Sequence, residues 1–209
     1  MLRLIAMGGP VMYAIILCSV VALAVTIEKI VQLILIPTKS EPLMRSIKAA
    51  LSHGRAIEAL QIARSSRGPI AALARAAVSR YGHPRAEISE ALERAGREEI
   101  RILEGKLNVL DAIVTLAPLL GLLGTVTGLI RSFRVLSAMA GLTEPAQLSG
   151  GIAEALITTA AGLIVAAPTV AAHAYLTSIV DRRIAEMENR AADLLNLTSG
   201  SGGGGDDNR

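Results

Sequence analysis

Three long apolar stretches interrupt an otherwise charged chain. Between Arg3 and Glu28 there are 24 consecutive residues without a charge. At about 1.5 Å of rise per residue, such a run crosses a hydrocarbon core of roughly 30 Å. It predicts a first membrane helix over residues 9–34, with Glu28 and Lys29 in its last third as an opposite pair that snorkels or faces other helices. A second charge-free run, 112–130, has 19 residues between Asp111 and Arg131 and spans with little tilt to spare. The third begins near Gly150 and runs to Val180, with Glu154 as its only charge and 26 uncharged residues after it.

Between the first two spans the pattern is helical throughout. Leu43, Ile47, Ala50 and Leu51 recur at helical spacing, then Ile57, Leu60 and Ile62, then Ile70, Leu73, Ala74 and Ala77. Breaks at His53-Gly54, Gly68-Pro69 and Gly82-His83-Pro84 divide them into short helices with tight turns. From Arg85 the stripe Ile88, Leu92, Ala95, Ile100, Leu103, Leu107 and Leu110 runs unbroken into the second span, with Glu90 and Arg94, and Glu93 and Arg97, as i,i+4 pairs. This predicts one long helix, amphipathic in water and apolar in lipid. The organisation expected is a first transmembrane segment (1–36), a helical domain in water (37–110), a second span (111–136), a short outer loop (137–149), a third span (150–180), its helical extension (181–197) and a Gly/Ser-rich disordered tail (198–209). The fold class is an all-α membrane protein with long helices continuing from membrane into cytoplasm.

Composition agrees: a mean hydropathy of +0.50 and 52% hydrophobic residues are too apolar for an ordinary soluble domain. With Phe133, Tyr13, Tyr81 and Tyr175 as the only aromatics, aromatic belts are nearly absent. Of 21 Lys and Arg residues, 13 lie between Lys39 and Lys106, which orients that segment and the C-terminus to the cytoplasm and the N-terminus outside. Arg131 and Arg134 weigh mildly against this. The basic cluster lacks interleaved aromatics and is mixed with Glu, which argues against nucleic acid. No clear cleavage signal follows the first apolar run, so that segment is read as retained. Cys18 stands alone and reads as a small buried hydrophobe. His53, His83 and His173 are isolated, and no nucleophile triad or phosphate-cradling glycine motif appears. The reading is therefore of no enzyme, no catalytic residue, no metal site and no cofactor.

The second and third spans carry the polar and small residues. Gly121, Gly124 and Gly128 fall on one stripe, with Gly124 and Gly128 at the spacing that lets helix backbones approach closely, and Pro118 removes one backbone donor. Thr125 lies on an adjoining stripe with Leu122 and Leu129. In the third span Glu154, Thr158, Ala161, Val165, Pro168 and Ala172 share one face, whereas Thr159 points roughly 140° from Glu154 at the 100° advance of an α-helix. A charge inside a membrane helix costs at least about 2.5 kcal/mol on insertion scales. Glu154 is either an interfacial acid, one turn inside the helix start and favoured by the dipole, or a proton- or ion-linked group, or a contact to another subunit.

The stretches Ala117-Pro118-Leu119-Leu120-Gly121-Leu122-Leu123-Gly124-Thr125-Val126-Thr127-Gly128-Leu129 and Gly151-Ile152-Ala153-Glu154-Ala155-Leu156-Ile157-Thr158-Thr159-Ala160-Ala161-Gly162-Leu163 resemble the ExbB/TolQ/MotA proton-channel family, most closely its ExbB/TolQ branch. The resemblance implies a homopentameric ring in the bacterial inner membrane, whose second and third helices line a pore holding an ExbD- or TolR-like single-span partner. In the family that partner's helix carries the proton-binding aspartate. Thr125 and Thr159 match the family's pore-lining threonines and Glu154 its third-helix glutamate; Thr158 enters only through the helical projection. The implied work is conversion of proton-motive force into partner movement that acts on a TonB- or TolA-like protein reaching the outer membrane. Alternatives are a gliding or flagellar-type stator, or a non-conducting membrane scaffold.

Overall fold

The first helix, α1 (Gly9–Ile30), begins where Gly9 takes a φ of +65° and Pro10 occupies the first turn, whose N–H groups have no intrahelical acceptor. It passes into a π-helical stretch at Val31–Leu35. In this computed structural model the described residues are 8–35, 40–138 and 145–199, and the regular elements among them are all helical. They are, after α1, α2 (Ser40–Ser52), α3 (Ala56–Ser65), α4 (Pro69–Val78), α5 (Arg85–Glu104), α6 (Leu107–Ala138) and α7 (Pro145–Ser199). Three helical stretches are long and apolar enough to cross a membrane: Gly9–Leu33, Arg85–Ser137 and Ser149–Ser199.

The residues divide into two units. One draws on Met1–Gln32 and Lys106–Thr177, the other on Leu33–Gly105 and Ser178–Arg209, so α7 contributes to both. In the first unit α1 packs on α6, and Met12, Ile15, Leu110, Ile113, Ala117 and Ala166 are buried. Each span leaves large apolar side chains outward, among them Leu17, Leu122 and Ile164, as expected of helices solvated by lipid. Lys29 is only 1% exposed, and its neighbour Glu28 pairs with Lys106.

In the second unit glycines with positive φ, Gly54 (+71°), Gly68 (+104°) and Gly82 (+84°), stand in the turns the sequence predicts. Ile47, Leu51, Ile70, Leu73, Ile88 and Leu92 are buried with Met187 and Leu194 from the end of α7. Arg190 pairs with Glu41, Ser40 donates to Glu186, and the Arg85 guanidinium donates to Asn196 Oδ1 at 3.2 Å, which ties α2 and α5 to α7.

Three expectations change and one holds. Ile57 is 78% exposed, and α3 instead buries Ala59 and Ala63; methyl groups one turn apart let it lie close between α2 and α4. The helix from Arg85 runs on into the second span as the sequence predicts: Gly105, between α5 and α6, keeps right-handed helical angles (φ −50°, ψ −34°) and its N–H donates to Arg101 O at 3.0 Å. The loop expected over 137–149 shrinks, because α6 reaches Ala138 and α7 starts at Pro145, a residue suited to a first turn; 139–144 lie outside the described residues. Thr198 and Ser199 are helical rather than tail, with Thr198 buried and its hydroxyl donating to Leu194 O at 2.7 Å; residues 200–209 of the expected tail lie outside the described residues.

Candidate functional site

The site grows from the contact between α6 and α7. A Cβ placed on Gly162 would stand 2.6 Å from Ala117 O and 3.1 Å from Gly121 Cα. One on Gly121 would stand 3.1 Å from Thr159 Cα, and one on Gly128 would stand 2.7 Å from Gly151 O. On Gly124 it would overlap the Thr158 side chain, and on Gly151 the Ser132 hydroxyl. The two helices therefore touch backbone to backbone along this stripe, which only missing side chains permit. Pro118 stands inside α6 beside Ala117.

Thr159 uses that proximity: its Oγ1 donates to Gly121 O of α6 at 2.9 Å. Thr125 Oγ1 donates to Leu122 O of its own helix at 2.6 Å. Each hydroxyl has spent its proton on a backbone carbonyl, so the lone pairs of its oxygen remain as acceptors. Thr125 and Thr159 are half-buried. Thr158, by contrast, is wholly buried, and its hydroxyl is shared between Glu154 O (2.8 Å) and Gly8 O (3.0 Å).

Glu154 is buried as well, with 11% of its side chain exposed. Arg131 Nη1 reaches its Oε2 at 2.5 Å from α6. On its other side lies Gly9, where a Cβ would overlap Glu154 Oε1. Because α7 begins at Pro145, the acid sits more than two turns inside its helix, not one. The helix N-terminus it meets is that of α1.

The structure thus groups Glu154 and Thr158 with Arg131 and the Gly8-Gly9 turn, joins Thr159 to Gly121, and leaves Thr125 bonded within α6. Arg131 and the Gly8-Gly9 turn escape a reading of the sequence by segments. The available signal is that Arg131 and Glu154 flank one short connection between successive spans, which brings both charges to the same end of the pair. Among the described residues no group of three or more His, Cys, Asp or Glu side chains could hold a metal.

The family described as the MotA/TolQ/ExbB proton channel family matches residues 65–189. A putative biopolymer transport protein ExbB homolog of Methanothermobacter thermautotrophicus is 31% identical over 188 residues, covering 90% of this chain and 66% of that protein. A putative biopolymer transport protein ExbB-like 1 of Synechocystis sp. is 36% identical over 162 residues, 76% of this chain and 63% of that one. The biopolymer transport protein exbB1 of Vibrio cholerae is 30% identical over 186 residues, 87% and 81% respectively. The chain thus spans less than two thirds of the first two relatives' own length.

Proposed function

Because the chain belongs to the MotA/TolQ/ExbB proton channel family, on its ExbB/TolQ branch, we propose that it is the proton-channel subunit of a motor that couples proton-motive force to work at the outer membrane. Its three apolar helices and its relatives make it a multi-pass protein of the inner membrane, and its family is one of proton channels and not of enzymes. In this reading five copies form a ring in which α6 and α7 line a pore, and the pore holds an ExbD/TolR-like single-span partner that acts on a TonB/TolA-like protein. The N-terminus is periplasmic and the basic second unit and C-terminus are cytoplasmic, as the clustering of Lys and Arg favours. Thr125 and Thr159 line the path, and Glu154 with Thr158 beside it stands at the path's periplasmic end; Gly121, Gly124, Gly128 and Pro118 shape the helix pair.

The observation that carries the reading is the α6–α7 contact itself. Two apolar helices meet through glycine, and hydroxyls that have already donated to the backbone offer acceptor oxygens where bulky side chains are missing. Acceptors of this kind can order water in an otherwise apolar layer. The test is proton flux into vesicles holding the chain with an ExbD/TolR-like partner. The isosteric T159V and T125V should each lower the flux about tenfold, the scale of one lost hydrogen bond, with ring assembly unchanged by native electrophoresis. Flux in the double variant equal to that of the unaltered ring would refute the assignment.

A further inference from the structure

A carboxylate taken out of water stays charged at tolerable cost only if it is paired and hydrogen-bonded. Arg131 pairs with Glu154 on one side, and the first turn of α1 lies against the other. Arg131, on the other helix and 23 residues earlier, places Nη1 2.5 Å from Oε2 while 58% of its own side chain remains exposed, so the pair draws its cation from the helix surface and buries only the acid. Oε1 faces the turn at Gly9, where a positive φ and the absence of a Cβ make the room. The first turn of a helix presents backbone N–H groups without intrahelical acceptors and carries the positive end of the helix dipole. One turn further along α7, Thr158 takes hold of the same turn through Gly8 O. Three helices from distant parts of the sequence therefore converge on one carboxylate, and the charge that commits it is Arg131.

We propose that Arg131 is a positioning residue: it holds the Glu154 carboxylate against the first turn of α1, so that Glu154 acts as a fixed anionic anchor joining α1, α6 and α7 and not as a proton carrier. The charged group facing Glu154 from α6 is Arg131, and the first turn of α1, Gly9-Pro10-Val11-Met12, contains no titratable side chain. That Glu154 carries no proton rests on the channel reading. The clamp itself is a property of the chain, and its test does not read conduction.

The experiment is a double-mutant cycle on the full chain in detergent micelles with R131Q, E154Q and R131Q/E154Q. Two quantities are followed: the thermal midpoint, and hydrogen exchange of the peptide covering Gly8 to Ile16. Both single variants should lower the midpoint and speed exchange on the order of ten- to a hundredfold, the range of one lost charge-assisted hydrogen bond. The double variant should fall no further than the worse single, because each substitution breaks the same clamp. R131K, which keeps the charge but loses the planar fork, should recover part of the protection. Additive single effects, or exchange at Gly8 to Ile16 unchanged in R131Q, would overturn the proposal while leaving the channel reading standing. Should R131Q fail to accumulate, E154Q and R131K are read alone: exchange at Gly8 to Ile16 that speeds up in E154Q and only partly so in R131K supports the clamp, and exchange unchanged in E154Q overturns it.

Discussion

Replacing Gly162 with Ala adds one carbon to the closest part of the α6–α7 contact. That carbon would stand 2.6 Å from Ala117 O, whereas carbon and carbonyl oxygen ordinarily approach no nearer than about 3.3 Å. Ala117 O belongs to the backbone, so no side chain can swing aside, and the helices must part locally by roughly 0.7 Å. A gap of that size forfeits about a quarter to a half of the dispersion energy of the atoms it separates. Overpacking of this kind costs about 1–3 kcal/mol. The substitution also carries a gain of about 1 kcal/mol, because Ala is the better helix former. Gly150 supplies the control: it lies in the same helix, and a Cβ added there meets nothing within 4 Å. G150A should show the gain alone, G162A the gain less the clash, and the difference of about 1–3 kcal/mol isolates the contact. The assay is unfolding of the full chain in mixed micelles of increasing SDS content, followed by far-ultraviolet circular dichroism. If G162A resists SDS as well as G150A does, the backbone contact between α6 and α7 is wrong.

Two further outcomes concern the second unit. Gly54 has a φ of +71° with open space around it, so G54A should lower stability by about 1–2 kcal/mol through backbone strain alone, and G54N by less, as thermal melting would register. Burial pushes the Glu99 carboxyl above its ordinary value of 4.5; Arg75 opposes the rise and Glu98 adds to it. A carboxyl raised in this way favours the folded state below that ordinary value and loses that contribution as pH climbs through its folded value. E99Q should therefore be more stable than the unaltered chain at about pH 7, with the gap closing toward about pH 4; a gap independent of pH would contradict the burial of Glu99.

Much of the architecture is legible along the chain. Three charge-free runs locate the spans because the hydrocarbon thickness sets their length, and Gly54, Gly68 and Gly82 announce the turns because L side chains resist their φ values. The glycine stripe on the second span likewise marks a face of close approach, since the spacing alone aligns it. Periodicity is less informative where packing chooses among similar apolar residues. Ile57 reads as core by spacing, yet α3 turns Ala59 and Ala63 inward because its neighbours lie close.

The fate of Glu154 shows the division most clearly. That an acid in a span needs a partner follows from the sequence and the cost of burying charge. That the partner is Arg131, that the helix end it meets is that of α1 and not its own, and that Thr158 is buried while Thr159 bonds Gly121 are matters of tertiary structure. Composition and spacing act along one chain direction and can be counted there. A side chain's partner depends on how helices far apart in sequence are rotated and set against each other, and that is decided only when they pack.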